Sequence, residues 1–402
     1  MKKILVGAFA LTVFLLGLVS CGHKSIPATS GKTFEDDLNF AVTQLEDLHP
    51  NFYAKVNKSD ILSEVEKIKS KGIKNKDELI YSLNKVLAKI GDSHTTVDWP
   101  GFNTSAVRFA RDADRLYISG VLPSDIKYLG GEVVSINGRK TNEVLFAVDS
   151  LVAAENESQK LNTSVKLISM PKVLNMLGIG FSDSKIYLKL KLKNLIKDYT
   201  VHTPTTSYDI IGTRAESNPL WLSKSSSVLY WHKKLSNDVV YVQYNSCSEM
   251  KDLSFKTFIE YLKVDSKKAK KLIVDLRRNS GGNSEIINPL YEAIKKKEIQ
   301  VEAILVLISR KTFSSALLNA LELKMDFGAT LVGEPTGGAP SHFGEQKQLE
   351  LPVSKLQITY STKHFKNNLI NTDSLYPDEN VSLTIEDRIN GRDPVLEKAL
   401  SL

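Results

Sequence analysis

VEAILVLISRKTFSSALLNALELK, residues 301–324, runs from an apolar strand through a short polar turn straight into an amphipathic helix. Upstream, KKLIVDLRRNSGGN at 270–283 is a second apolar strand that ends in a Gly281-Gly282 pair. Between them, SEIINPLYEAIKKK (284–297) has the apolar spacing of a helix. Two buried strands joined by one helix form a β-α-β unit, which places the two strands side by side in a parallel sheet. The same alternation extends outward. SVLYWHKKL and DVVYVQYN precede it with a helix near LSFKTFIEYLKV, and SALLNALELKMDF then ATLVGE follow it. Residues 220–402 are therefore read as one β/α core, with reactive groups expected at strand ends and in the loops that follow them.

Ser314 falls at the beginning of the helix after 301–308. The first N–H groups of a helix lack intrahelical partners, and the positive end of its dipole favours a developing oxyanion, so a serine nucleophile is chemically well placed there. Serine is also a preferred N-cap, and taken alone the position reads as a cap first. Two glycines after a strand likewise make a turn in any protein. Their unhindered amides, one β-α unit before Ser314, are what turn both features toward chemistry.

The amino-terminal side has a different character. FEDDLNFAVTQLEDLHPNFY, ILSEVEKIKSKG and KDELIYSLNKVLAKIG predict three helices within 33–98, ending in GDSHTTV, where His94 sits at a helix-to-strand junction. Residues 105–205 carry short strand-like stretches (RLYISGVL, GGEVVSINGRKT, KIYLKLKL, KDYTVHTP), a helix EVLFAVDSLVAA, and an Asn137-Gly138 pair suited to a tight hairpin turn. This arrangement resembles a PDZ-like module, a peptide-binding fold, although the usual Gly-Leu-Gly-Phe loop is not visible.

At the extreme amino terminus Lys2 and Lys3 precede ILVGAFALTVFLLGLV and then Ser20-Cys21. This is the pattern of a secretory signal over residues 1–21. LVSC resembles the lipobox of bacterial lipoproteins, which makes Cys21 the expected acylated first residue of the mature chain, followed by a tether at 22–32. Acyl chains contributing roughly 0.8 kcal/mol per buried methylene anchor such a protein stably, so the expected location is the cell envelope, on a bacterial membrane facing the periplasm or exterior. The chain has two cysteines, Cys21 and Cys247, so a lipidated Cys21 leaves Cys247 without a disulfide partner. Losing Lys2 and Lys3 lowers the formal charge of +7 to +5. So modest an excess in an exported protein excludes nucleic acid as an expected partner. The seven histidines show no H-E-x-x-H pattern and no paired cysteines accompany them, so neither a metal nor a cofactor is expected.

Four ordered motifs, GDSHT (91–95), DLRRNSGG (275–282), TFSSA (312–316) and GEPTGG (333–338), resemble those of the carboxy-terminal processing, or tail-specific, serine proteases and their tricorn core-like branch. The resemblance covers nearly the whole mature chain. It implies an α/β fold with a crotonase-like β/α core, a helical amino-terminal part and a PDZ-like insert, acting on protein or peptide substrates. It also implies Ser314 as nucleophile, with the oxyanion held by an amide of Gly281 or Gly282 and by that of Ser315. The processing branch places a lysine base a few residues after GEPT, where this chain has Ala339. The tricorn-like branch uses a histidine from its GDSHT counterpart, which implies His94 as base, Ser93 as its neighbour and a distant acid. Asp373 in NTDSLYPD is the candidate acid, with Glu345 as the alternative. His342, in the loop after GEPT, is the rival base and, with Gly337 and Gly338, the candidate substrate-contacting set; Lys363 is a further candidate. The competing expectation is a protein of this fold that lost its base along with the lysine and serves as an anchored peptide-binding scaffold.

Overall fold

The computed structural model describes residues 33–204, 208–216, 218–225, 227–236 and 238–402. The signal segment, the tether and Cys21 lie outside the described residues. The amino-terminal part is helical: α1 (Phe34–Leu48), α2 (Lys58–Lys69) and α3 (Lys76–Ile90). Thr33 caps α1 in a reciprocal box with Asp36, and Gly91 ends α3 in the left-handed conformation that suits glycine. The short strand β1 (Thr96–Val97) follows at once.

Next come β2 (Val107–Asp112), β3 (Arg115–Val121), β4 (Glu132–Ile136), β5 (Arg139–Lys140), α4 (Thr141–Asp149), α5 (Glu157–Ile168), α6 (Pro171–Met176), β6 (Lys185–Leu192) and β7 (Leu195–His202). The strands make one sheet in the order β2-β3-β4-β6-β7, with β5 pairing β4. Asn137 and Gly138 have φ 49° and 83°, so the turn expected from this pair is formed with both central residues at positive φ. The helix expected over 143–154 stops at Asp149, and α5 and α6 are additional.

The carboxy-terminal part builds β8 (Tyr230–Lys234), β9 (Val239–Tyr244), α7 (Phe255–Asp265), β10 (Lys271–Asp275), α8 (Asn288–Lys295), β11 (Ala303–Ile308), α9 (Ser315–Phe327) and β12 (Thr330–Gly333). Then follow β13 (His342–Glu350), β14 (Gln357–Phe365), β15 (Glu379–Asn380), α10 (Ile385–Ile389) and α11 (Pro394–Ser401). A six-stranded sheet runs β15-β12-β11-β10-β9-β8, all parallel except the β8–β9 pair. Its apolar runs are continuous because both faces are covered. Leu272 and Val274 of β10, with Ile304, Val306 and Ile308 of β11, pack on the helical side beside Phe258, Leu290 and Leu317. The intervening Ile273, Leu305 and Leu307 face Val395, Leu396 and Ala399 of α11.

The hairpin β13–β14 departs from the expected single core. It lies within residues 220–402 but joins β1 in a three-stranded sheet, β1-β14-β13, pairing Thr96 with Thr359 and Val97 with Ile358. Leu351, Leu356, Ile358 and Tyr360 share one hydrophobic cluster with α1, α3 and the β2–β7 sheet. That pairing ties the segment following GDSHT to the hairpin that follows GEPTGG. The chain is a mixed α/β protein of several sheets.

Candidate active site

Ser314 is positioned by two loops leaving neighbouring parallel strands. After β11 the chain turns through Ser309–Phe313, and this turn is tied to the loop after β10. Thr312 Oγ1 donates to the Leu276 carbonyl (2.9 Å), Ser309 Oγ to the Arg277 carbonyl (2.8 Å) and Phe313 N–H to the Asn279 carbonyl (3.2 Å). Ser314 itself has φ 53° and ψ −128°, a region that costs a non-glycine residue of order 1–3 kcal/mol. It stands at the N-cap of α9, yet its side chain makes no capping bond. The backbone is strained and the hydroxyl left free of the capping role that serine usually serves.

The glycine pair lies against this serine. A Cβ on Gly281, at φ +109°, would come within 2.8 Å of Ser314 Cβ and 3.1 Å of Ser315 N. On Gly282, at φ +133°, it would come within 2.3 Å of the Cys247 carbonyl oxygen. The two amides are not equivalent. Gly281 N–H donates to Asn279 Oδ1 (2.9 Å). Gly282 N–H donates no hydrogen bond among the described residues. Ser315 Oγ closes the pocket by donating to the Gly282 carbonyl (2.6 Å), and Ser315 N–H is the first amide of α9.

His94 reaches the same place from the end of α3. Asp92, 1% exposed, is the fixed point of its turn, accepting from His94 N–H (2.9 Å), Thr95 Oγ1, Ser361 Oγ (2.7 Å) and His49 Nε2 (3.0 Å). Asn51 N–H donates to His49 Nδ1 (3.1 Å), which assigns the His49 proton to Nε2. Burial opposes ionisation of Asp92, but the hydrogen bonds from His49, Thr95, Ser361 and the His94 amide prevail and hold its carboxyl at about 2.

The His94 ring is 4% exposed and lies between two aromatic faces. It stacks on Phe313, the residue before Ser314, at 4.5 Å and 23°, and on His342 at 5.7 Å and 16°. Its Nδ1 lies 3.6 Å from Glu155 Oε1 and 3.8 Å from Asp92 Oδ1, and neither ring nitrogen makes a hydrogen bond among the described residues. Ser314 and His94 are thus brought together through Phe313 without a hydrogen bond between them.

Glu155, which no motif marked, is the buried carboxylate beside the histidine. Its side chain is 4% exposed. Oε2 accepts from Ala339 N–H (3.1 Å), and its own N–H donates to Ser93 Oγ (3.0 Å). The backbone at the position where the processing branch carries lysine therefore holds a carboxylate instead. The next residue, Asn156, uses its side-chain amide to bind the carbonyls of Thr336 (3.1 Å) and Asp373 (2.7 Å) and Ser374 Oγ (2.8 Å). This clamp holds Glu155 in place across three loops.

Asp373 does not occupy the place expected of the acid. Its side chain is exposed and accepts from Tyr376 OH (2.9 Å), while only its main chain touches the site, through Asn156. An aspartate in a tight turn finds local partners. Glu345 and Lys363 pair with each other at 3.6 Å on the exposed side of the hairpin, away from His94. His342 is buried beside His94 and its Nδ1 contacts the Ala339 carbonyl at 2.8 Å. Burial, reinforced by His94 and opposed by Glu155, pushes its imidazole below the ordinary value and favours the neutral ring. Gly337 and Gly338 line the same region: a Cβ would meet the Arg310 carbonyl oxygen at 2.4 Å from Gly337 and Phe313 Cδ2 at 3.1 Å from Gly338. Asp92, His94 and Glu155 could hold a cation, their ligand atoms lying within 4.8 Å of one another. The oxygens of Asp92 already accept from four donors.

Residues 238–303, from β9 to the start of β11, match peptidase family S41. The fold of the whole chain is similar to that of mature CPAF, at 14% identity and TM-score 0.62, covering 91% of this chain and 96% of that one. The chain carries a segment similar to peptidase family S41. Mature CPAF complexed with lactacystin is similar too, at 12% identity and TM-score 0.60, over 89% of this chain and 95% of that one. No curated protein matches the chain. The family match ends before Ser314, so the assignment of individual residues rests on the geometry above.

Proposed function

We propose that this chain is an exported, lipid-anchored endopeptidase that cleaves protein or peptide substrates through an acyl-enzyme on Ser314. The observation that carries the reading is Ser314 itself: a strained, uncapped serine at a helix start, beside a glycine pair and one residue from the ring stacked on His94. His94 is the general base. With Nδ1 directed at Glu155, Nε2 takes the seryl proton as Oγ attacks the peptide carbonyl, then returns it to the leaving amine. The Gly282 and Ser315 amides receive the oxyanion, a donor of this type being worth about a hundred- to thousand-fold in turnover. Water activated by His94 then hydrolyses the ester and regenerates Ser314. Glu155 replaces Asp373 as the acid, and Ser93 helps fix it through the Glu155 amide.

The β8–β12 sheet with its helices is the crotonase-like core, and the β2–β7 sheet is the PDZ-like module that selects or gates substrates. Cys21 is the lipidation site. An inactive scaffold is the competing reading, favoured by the missing Ser314–His94 hydrogen bond. Such bonds often tighten only when substrate arrives. Protein lacking residues 1–21 is treated with a fluorophosphonate probe beside Ser314→Ala, His94→Ala and His342→Ala variants. Labelling that needs Ser314 and His94 supports the reading. A folded wild type that stays unlabelled overturns the peptidase, and dependence on His342 instead of His94 overturns the base.

A further inference from the structure

Next to the nucleophile loop lies a group of cations that the chemistry above does not use. Arg278 follows the end of β10, Arg310 and Lys311 follow β11, Arg388 belongs to α10, and Arg108 projects from β2, the edge strand of the second sheet. Arg310 joins the two parts by donating to the Arg111 carbonyl in β2 (2.7 Å). Trp221 packs among them: its carbonyl accepts from Arg278 (3.2 Å), and its ring lies 6.0 Å from the Arg388 guanidinium.

What distinguishes Arg108, Arg278, Lys311 and Arg388 is that none of them forms an ion pair among the described residues. The carboxylates in range are committed elsewhere, Glu334 to Arg310 (2.7 Å) and Asp275 to Arg277 (2.6 Å). Among the described residues Arg278 finds only carbonyl partners, and Arg388 Nε is buried without a hydrogen bond. Arg108 and Lys311 form no ion pair among the described residues. Lys311 is exposed, with protein atoms packed around its side chain. That packing, together with Arg388, Arg278, Arg108 and Arg310, brings its ammonium down to about 8. Cations held together without anions cost free energy that a bound anion recovers.

We propose that Arg108, Arg278, Lys311 and Arg388 form a carboxylate-binding subsite that holds an acidic stretch of the polypeptide substrate beside the Ser314 loop. The inference rests on the peptidase reading and adds a substrate class to it. A single carboxylate would leave most of the four charges unmatched, so a run of Asp or Glu side chains fits better than one chain end. Arg278 and Lys311 lie in the loops after β10 and β11 that also carry Gly281 and Ser314, and Lys311 precedes the nucleophile by three residues. An extended peptide advances about 3.3 Å per residue, so acidic side chains a few residues from the scissile bond are within reach of it.

The test measures binding rather than cleavage. Fluorescent decapeptides carrying a Glu-Glu pair at successive positions, each with a Gln-Gln counterpart, are titrated against the full chain bearing Ser314→Ala, at low and at physiological salt. For at least one position the Glu peptide is expected to bind about tenfold tighter, with the preference shrinking as salt rises. Arg108→Gln combined with Lys311→Gln is expected to cut the preference to under about threefold. Lys363→Gln, which removes a similar charge elsewhere, leaves it. Equal binding of Glu and Gln peptides at every position, or a preference indifferent to the double substitution, overturns the proposal. A preference that follows only a free over an amidated carboxy terminus overturns the assignment to acidic side chains. Fluorophosphonate labelling of the Ser314 protein reports separately: labelling without a Glu preference removes the subsite and leaves the peptidase, whereas a Glu preference without labelling supports charge recognition and removes the peptidase.

Discussion

Asp92→Asn isolates the carboxylate on which the His94 turn is built. The wild-type carboxyl is held at about 2 instead of 3.8, a difference worth about 2 kcal/mol of folding stability for a group this deeply buried. Because the folded-state value is depressed, that stability is fully present above about pH 4 and is lost as pH falls through 2. Asparagine has one acceptor oxygen where four donors converge from His49, His94, Thr95 and Ser361, so its amide must face at least one of them. The expected result is a variant about 2–3 kcal/mol less stable by urea unfolding at pH 7. The gap between wild type and variant should be nearly unchanged at pH 5 and should narrow clearly from pH 4 to pH 3. A gap that stays constant between pH 7 and pH 3 would show that the loss comes from packing, and would refute the ionised hub.

Three further outcomes are expected. Gly281→Ala puts a methyl 2.8 Å from Ser314 Cβ at a backbone angle that alanine resists; fluorophosphonate labelling should slow at least about 100-fold with the circular dichroism spectrum retained. Glu155→Gln keeps the shape and the Ala339 bond but removes the charge beside His94, so kcat should fall by about 100-fold or more with KM changed by less than about threefold. Asp393→Asn deprives the buried Arg277 of one of its two carboxylates, the other being Asp275; urea unfolding should register a loss of about 3 kcal/mol, and a loss under about 1 kcal/mol would mean that Asp275 alone satisfies the guanidinium.

The main sheet was legible because its signals are local. Unbroken apolar runs at 272–274 and 303–308 describe strands covered on both faces, and the helical spacing between them sets the parallel crossover. The β13–β14 hairpin was not legible: after His342, Phe343 and Gly344, its residues 345–348 are all exposed, so no apolar alternation announces a strand. Helices α5 and α6 were missed for a similar reason, since SQKLNTS carries little apolar periodicity.

At the site, the structure brings together residues that motifs singled out, Ser314, the glycine pair and His94, and one that no motif marked, Glu155. Ser314, the glycine pair and His94 each sit where a strand or helix ends, and such ends announce themselves in sequence. Glu155 follows no pattern. It becomes a partner of His94 because Asn156 clamps the loops at Thr336 and Asp373 and because the Ala339 amide binds its carboxylate. By itself the sequence of this protein determined the strand-turn-helix that presents Ser314, since that depends on residues close together in the chain. Only the tertiary structure decided that the serine is uncapped and strained, that Gly281 N–H is already engaged, and that Glu155 rather than Asp373 faces the histidine. Each of those depends on contacts between segments far apart in the chain, which local patterning does not encode.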